Sequence, residues 1–118
     1  MYHYVEVEMR FFNTVFLKEA DDFLATLDQK TVLKVLFNIE LAEHSKDRRL
    51  FKKLRDDIWE FRTLFRGSQI RLLAFWDSRD KLDTLVVATH GFVKKTSKVS
   101  NQEIDKAIAL KNKYFEMS

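Results

Sequence analysis

The run Trp59-Glu60-Phe61-Arg62-Thr63-Leu64-Phe65, followed by Arg66-Gly67 and then by Ser68-Gln69-Ile70-Arg71-Leu72-Leu73-Ala74-Phe75-Trp76, decides the fold. On both sides of the glycine, large apolar residues recur at every second position, which is the spacing of strands with one covered face. Two such runs about a short glycine-containing turn read as a β-hairpin. With Arg66-Gly67 as the two loop residues, Phe65 faces Ser68 and Arg62 faces Arg71. Parity then places Trp59, Phe61, Ile70, Leu72, Ala74 and Trp76 on one face, and Glu60, Arg62 and Arg71 on the other. Two arginines directly opposite one another cost stability. A carboxylate offsets that cost, and Glu60 sits on the same face, diagonal to Arg71. Two readings stay open: an Arg-Glu-Arg surface network, or a guanidinium pair set to grip a phosphate in two-pronged fashion.

Downstream of the hairpin, Asp77-Ser78-Arg79-Asp80 is a second turn signal. Leu82 to Val93 follows as a strand, with Leu85-Val86-Val87-Ala88 suited to a central position covered on both faces. Ser100 with Glu103 three residues later forms a capping box, and Ile104, Ala107, Ile108 and Phe115 stripe a final helix. Upstream, Tyr4 to Phe12 alternates and predicts a strand. Asn13 is placed to cap a first helix carrying Phe16, Ala20, Phe23, Leu24 and Leu27, and Asp28 to cap a second helix reaching about His44. The second helix has two apolar stripes, Val32, Val35, Leu36 and Ile39, and also Leu33, Phe37 and Leu41. It reads as sandwiched between the first helix and a sheet, with a docking stripe as the alternative. The order is β-α-α-β-β-β-α, which predicts an α+β fold with a curved antiparallel sheet and helices packed on one side.

The chain has 118 residues, 46% hydrophobic and 33% charged, with no cysteine and no proline. That is enough chain to bury roughly two-thirds of its unfolded surface, so residues 1–118 read as one domain. Disulfides and cysteine-based metal sites are excluded. No apolar run approaches the length of a membrane helix, and the N-terminus lacks a signal-peptide layout, so a cytoplasmic location is expected. The net charge of +3 is uneven. The segment from Met1 to Ser45 holds four basic and eight acidic residues, a net of −4, and the remainder holds 17 basic and 10 acidic, a net of +7. Such asymmetry marks either a polyanion-binding surface or two ordinary solvated faces.

Basic clusters flank the hairpin in sequence: Lys52, Lys53 and Arg55 before it, joined by Arg48 and Arg49, and Lys94, Lys95 and Lys98 after the last strand. Gathered on one concave side they form a phosphate-backbone contact surface. A lysine crowded by cations loses its proton more readily, which makes Lys94 and Lys95 candidate weak bases. His90 shares strand parity with Phe92 and Lys94 and is a candidate proton carrier, against the alternative of a buried, hydrogen-bonded histidine. His3, His44 and His90 lie on separate elements, so no metal site is expected. Asp56-Asp57 reads as turn chemistry, and Trp59 and Trp76 as packing. There is no glycine-rich phosphate loop and no nucleophile elbow, and no cofactor is implied.

The runs Leu54-Arg55-Asp56-Asp57-Ile58-Trp59-Glu60-Phe61-Arg62, Ile70-Arg71-Leu72-Leu73 and His90-Gly91-Phe92-Val93-Lys94-Lys95-Thr96 together resemble the RelE/ParE toxin superfamily, in its HigB-like, phage-derived branch. The similarity runs from the first helix to Ala107, and the family's element order agrees with the order above. The chain departs from the family in carrying Val99-Ser100 where a proline is usual. The resemblance implies the toxin half of a type II toxin–antitoxin pair. RelE and HigB toxins cut messenger RNA on the translating ribosome, whereas ParE members inhibit DNA gyrase; a non-catalytic corepressor that binds its antitoxin is a third reading. It also implies that Arg62 and Arg71 lie in the active concavity beside Lys94 and Lys95; it transfers no proton carrier, for which His90 and Tyr114 are the candidates. The partners it implies are a cognate antitoxin of the helix-turn-helix type, mRNA on the ribosome, and operator DNA through the antitoxin alone, with no membrane.

Overall fold

The computed structural model describes residues 9–117. Five strands, β1 (Asn13–Phe16), β2 (Phe51–Lys53), β3 (Trp59–Phe65), β4 (Ser68–Asp77) and β5 (Leu85–Lys94), form one sheet in the order β1-β5-β4-β3-β2. Three helices, α1 (Lys18–Ala25), α2 (Gln29–His44) and α3 (Asn101–Glu116), complete the fold. The α+β class is the expected one, with one strand more than the expected order because three-residue β2 is too short to show a period.

The hairpin register is the one parity predicts: Phe65 pairs with Ser68 and Arg62 with Arg71. Its turn residues Arg66 and Gly67 both have positive φ, 51° and 80°, the left-handed geometry that matches the twist of a tight hairpin. Asp56 and Asp57, in the turn between β2 and β3, are left-handed as well, a conformation aspartate tolerates better than most residues.

Four expectations are corrected. The sheet is mixed, because β1 runs parallel to β5, Asn13 opposite Leu85 through Phe16 opposite Ala88. The helices occupy both faces. Ala20 and Leu24 of α1 and Val35, Ile39 and Ala42 of α2 share a core with Phe61, Ile70, Leu72 and Ala74. On the opposite face Ile104 and Ala107 of α3 pack on Ile58, Leu73, Phe75 and Val87. β4 has apolar side chains on both faces along this stretch, so each face needs a cover. The expected strand over Tyr4–Phe12 falls partly outside the described residues. Its remainder, Met9 to Phe12, is not a strand: Phe11 N donates to the Glu43 carbonyl at 2.7 Å, and Phe12 is buried against the rings of Phe51, Phe61 and Trp76. Asn13 accordingly begins β1 instead of capping α1, whose N-cap position is Leu17. Finally, α2 is not sandwiched. α1 lies over β5 and α2 over β3, so only one stripe of α2 meets the core, while Leu33, Phe37 and Leu41 are exposed.

The predicted caps of the two long helices hold: Asp28 accepts from Thr31 N at 2.8 Å, and Ser100 from Glu103 N at 3.3 Å. Two features of β5 matter for function. Leu73 pairs with His90 and Ala74 with Ala88, so Thr89 is a bulge that resets side-chain parity. It puts His90, Phe92 and Lys94 opposite Leu73, Arg71 and Gln69, on the α3 face of the sheet. Gly91 points the other way. A Cβ there would lie 2.2 Å from Phe23 and 2.6 Å from Leu72, so only glycine lets α1 sit this close.

Candidate nucleic-acid interface

Lys52 of β2 lies opposite Glu60 of β3, and Arg62 lies opposite Arg71 of β4, so alternation brings these four side chains to one face. The bulge adds Lys94 beside Gln69. α3 covers the apolar part of this face and stops short of the charged part. What remains are two adjoining hollows that share Arg62. One, of about 390 Å³, is walled by Lys52, Arg55, Glu60, Arg62, Lys94 and Lys98, with Ser97, Val99, Asn101 and Ile104 at the start of α3. The other, of about 300 Å³, is walled by Arg49, Arg62, Thr63, Leu64, Gln69 and Arg71. The larger hollow thus has five cationic side chains around one carboxylate.

That carboxylate holds the geometry. Glu60 Oε1 lies 3.4 Å from Arg62 Nε, and Oε2 lies 3.4 Å from Arg71 Nε. Arg71 is buried; its Nη1 donates to the Ile70 carbonyl at 3.2 Å and its Nη2 to Gln69 Oε1 at 3.1 Å. Arg62 is only partly covered and reaches the Arg48 carbonyl at 3.5 Å. The network is therefore buried at Glu60 and Arg71 and open at Arg62. Burial pushes the Arg71 guanidinium below its ordinary pKa, Glu60 pulls it back, and Arg62 adds to the depression. Lys94 is lowered as well, by desolvation first and then by Arg71, with Arg62 and Lys52 contributing and Glu60 opposing. A lysine so placed gives up its proton more easily than a free one.

The structure sorts the other sequence candidates. Arg55 stands in the wall of the larger hollow, with its Nη2 spent on Asn101 Oδ1 at 3.1 Å and Asp105 Oδ1 at 3.2 Å, which ties the β2–β3 turn to α3. Lys98 is on the rim. Arg49 borders the smaller hollow, held by both oxygens of Asp47. Arg48 lines a different, aromatic cavity behind the sheet edge. Lys53 has the opposite parity to Lys52 and pairs with Asp57 at 3.5 Å. Lys95 lies just past β5, is exposed and lines neither hollow.

The two candidate proton carriers lie elsewhere. His90 is buried beneath α3, its Nδ1 3.0 Å from Thr89 Oγ1 and its Nε2 3.5 Å from Glu103 Oε1. Burial pushes its pKa down against the pull of Glu103. Tyr114 is 13 residues along α3 from Asn101, about 20 Å at helical rise. Its hydroxyl donates to Asp77 Oδ2 at 2.8 Å, and with Arg79 it holds that carboxyl well below the usual carboxylate range. Sequence reasoning missed Gln69 and Asn101, which are ordinary polar residues until the fold sets them against Arg71 and Arg55. Among the described residues no group of three or more His, Asp or Glu side chains is placed to hold a metal, and no helix is long and apolar enough to cross a membrane.

The family pattern described as phage-derived protein Gp49-like (DUF891) matches residues 22–112. The chain belongs to this family. The match runs from within α1 to within α3, so every side chain lining the two hollows falls inside it. The Gp49-like family is a RelE/HigB-like family of toxins from toxin–antitoxin systems. No curated protein matches the chain.

Proposed function

We propose that this Gp49-like protein is the toxin of a type II toxin–antitoxin pair and acts as a ribosome-dependent mRNA endonuclease without a cofactor. The observation that carries the reading is the Arg62–Arg71 pair facing across β3 and β4 about Glu60, with Lys94 and Lys52 beside it in an open hollow. Cleavage within RNA needs a base for the 2′-hydroxyl proton, cations for the extra charge on the phosphorane, and an acid for the departing 5′-oxygen. The 2′-oxygen forms a bond to phosphorus as the bond to the 5′-oxygen breaks, leaving a 2′,3′-cyclic phosphate and a 5′-hydroxyl. Arg62, partly open and anchored from behind by Glu60, meets the phosphate. Arg71 holds Glu60 in place. Lys94, its pKa lowered by desolvation and then by its cationic neighbours, takes the 2′ proton, and Lys52 and Lys98 guide the backbone.

Glu60 is engaged by Arg62 and Arg71, so the departing 5′-oxygen takes its proton from water, and substrate geometry has to supply much of the acceleration. A ribosome that presents one phosphate in a fixed pose does this, in keeping with the cleavage of translated mRNA that the RelE/HigB resemblance implies. The antitoxin, of the helix-turn-helix type, neutralises the toxin by covering the basic face and carries the pair to operator DNA. The test is to induce the parent and an Arg62→Ala variant in cells and to map new 5′ ends across translated and untranslated transcripts. Cleavage confined to translated messages, lost in the variant at equal protein level, is the expected result. Cleavage retained by Arg62→Ala removes the site. Intact transcripts with DNA damage assign the protein to gyrase, and the absence of any toxicity assigns it to a regulatory role.

A further inference from the structure

The molecule has a second concavity that the toxin reading does not use. It lies at the β2 edge on the opposite face of the sheet from Glu60, Arg62 and Arg71, with a volume of about 400 Å³. Its walls are rings: Phe12, Phe51, Trp59 and Trp76 pack with centroids 4.9–5.9 Å apart in several of their pairings, Phe51 stacked on Trp59 and the two tryptophans edge to face. An opening this size is at the small end of the range for small-molecule pockets.

The rim is cationic. The segment Ser45 to Arg48 forms it, and its one carboxylate, Asp47, is already occupied: Oδ1 accepts from Arg49 N and Nε, and Oδ2 from Arg49 Nη2 at 2.8 Å. Lys46 lies 5.1 Å over the Phe11 ring at the mouth. The Arg48 side chain is exposed and, among the described residues, makes no hydrogen bond or ion pair. An aromatic cavity with an exposed arginine among its lining residues suits a ligand with a planar or apolar body and an anionic end.

We infer that this cavity is a binding site for small aromatic anions, in which the ring lies against Trp59 and Trp76 and the anionic group meets Arg48. The aromatic carboxylates of metabolism and the nucleoside monophosphates both have this chemistry.

The chain's two tryptophans both wall the cavity, so intrinsic fluorescence reports on it directly. The probes are 3-phenylpropionate, its uncharged counterpart 3-phenylpropanol, and adenosine 5′-monophosphate, titrated into the full chain by fluorescence and by calorimetry. A ligand of this size is expected to saturate with Kd of about 0.1–1 mM. The alcohol is expected to bind about tenfold more weakly than the acid, the loss of one charge-assisted contact. Arg48→Ala, an exposed position that leaves the fold intact, should weaken the acid about tenfold and leave the alcohol unchanged. Tighter binding of the monophosphate than of the acid assigns the site to nucleotides, and the reverse order to carboxylates. The inference is overturned if none of the three saturates, if acid and alcohol bind equally, or if Arg48→Ala binds the acid as the parent does.

Discussion

Replacing Glu60 by glutamine keeps the side chain's shape and removes the one negative charge between two arginines. The charge separations are 3.4 Å on each side, and at an effective dielectric constant of about 20 each attraction is worth about 5 kcal/mol gross. Desolvation of the charges returns much of that, since the side chains of Glu60 and Arg71 are each only 4% exposed. What the variant loses is not the net worth of the triad but the compensation of a buried cation. Removing one partner of a buried pair costs about 3–5 kcal/mol. Arg62, 31% exposed, can turn to water and Arg71 cannot, which places the loss near the lower end, about 3 kcal/mol. For a chain of this length that is a fall in Tm of about 10–15 °C. Urea unfolding followed by circular dichroism, at unchanged m-value, measures it. The double variant Glu60→Leu with Arg71→Leu should recover to within about 1 kcal/mol of the parent, because an apolar pair in a buried ladder has no charge to compensate. A loss below about 1 kcal/mol in Glu60→Gln, or a double variant less stable than the single one, would refute the assignment of Glu60 as the counter-charge of Arg71.

Three further outcomes test other parts of the structure. Gly91→Ala should cost about 2 kcal/mol in chemical denaturation, since its Cβ must displace the Phe23 and Leu72 side chains. Arg66→Asn should raise stability by about 0.5 kcal/mol, because Arg66 holds φ 51° in a turn that favours asparagine there. His90, lowered by burial from an ordinary value of 6.5, favours its neutral form in the folded state. Its contribution is therefore full above about pH 6.5 and is lost as pH falls from there toward the lowered folded value. A His90→Gln variant should show a flatter stability profile between pH 7 and 5 than the parent.

The hairpin was readable from sequence because its signals are local and mutually consistent: one glycine turn, one parity, and a carboxylate beside two opposed arginines. The caps Asp28 and Ser100 were readable for the same reason. At the beginning of the chain the helical period is misleading, because Phe16 sits by coincidence at a helical offset from Ala20 and Leu24 although it belongs to β1. The cover by α3 is legible in part: Leu85-Val86-Val87-Ala88 reads as a strand covered on both faces, and successive apolar residues Leu72, Leu73, Ala74 and Phe75 say the same of its neighbour. At the site, parity separates Lys52 from Lys53 once β2 is known to be a strand, which three residues cannot announce. Arg48 and Arg49 diverge because a connector without a period gives no side-chain direction. The placement of His90 depends on the Thr89 bulge, which no pattern in the chain marks.

A sheet face that concentrates positive charge must still fold, and this protein meets both demands with one carboxylate. Glu60 compensates the buried arginine and leaves the partly open one with charge to spare. Arg55 is spent on α3 and Arg49 on Asp47, so the cations free to meet a phosphate narrow to Arg62, Lys94, Lys52 and Lys98. Placing the neutralising group at the buried end of the network lets the strand pair tolerate facing arginines, while the exposed end stays electropositive. If the carboxylate lay at the mouth, buried Arg71 would lose its counter-charge, at a cost of about 3 kcal/mol, and the open end of the network would lose its positive charge.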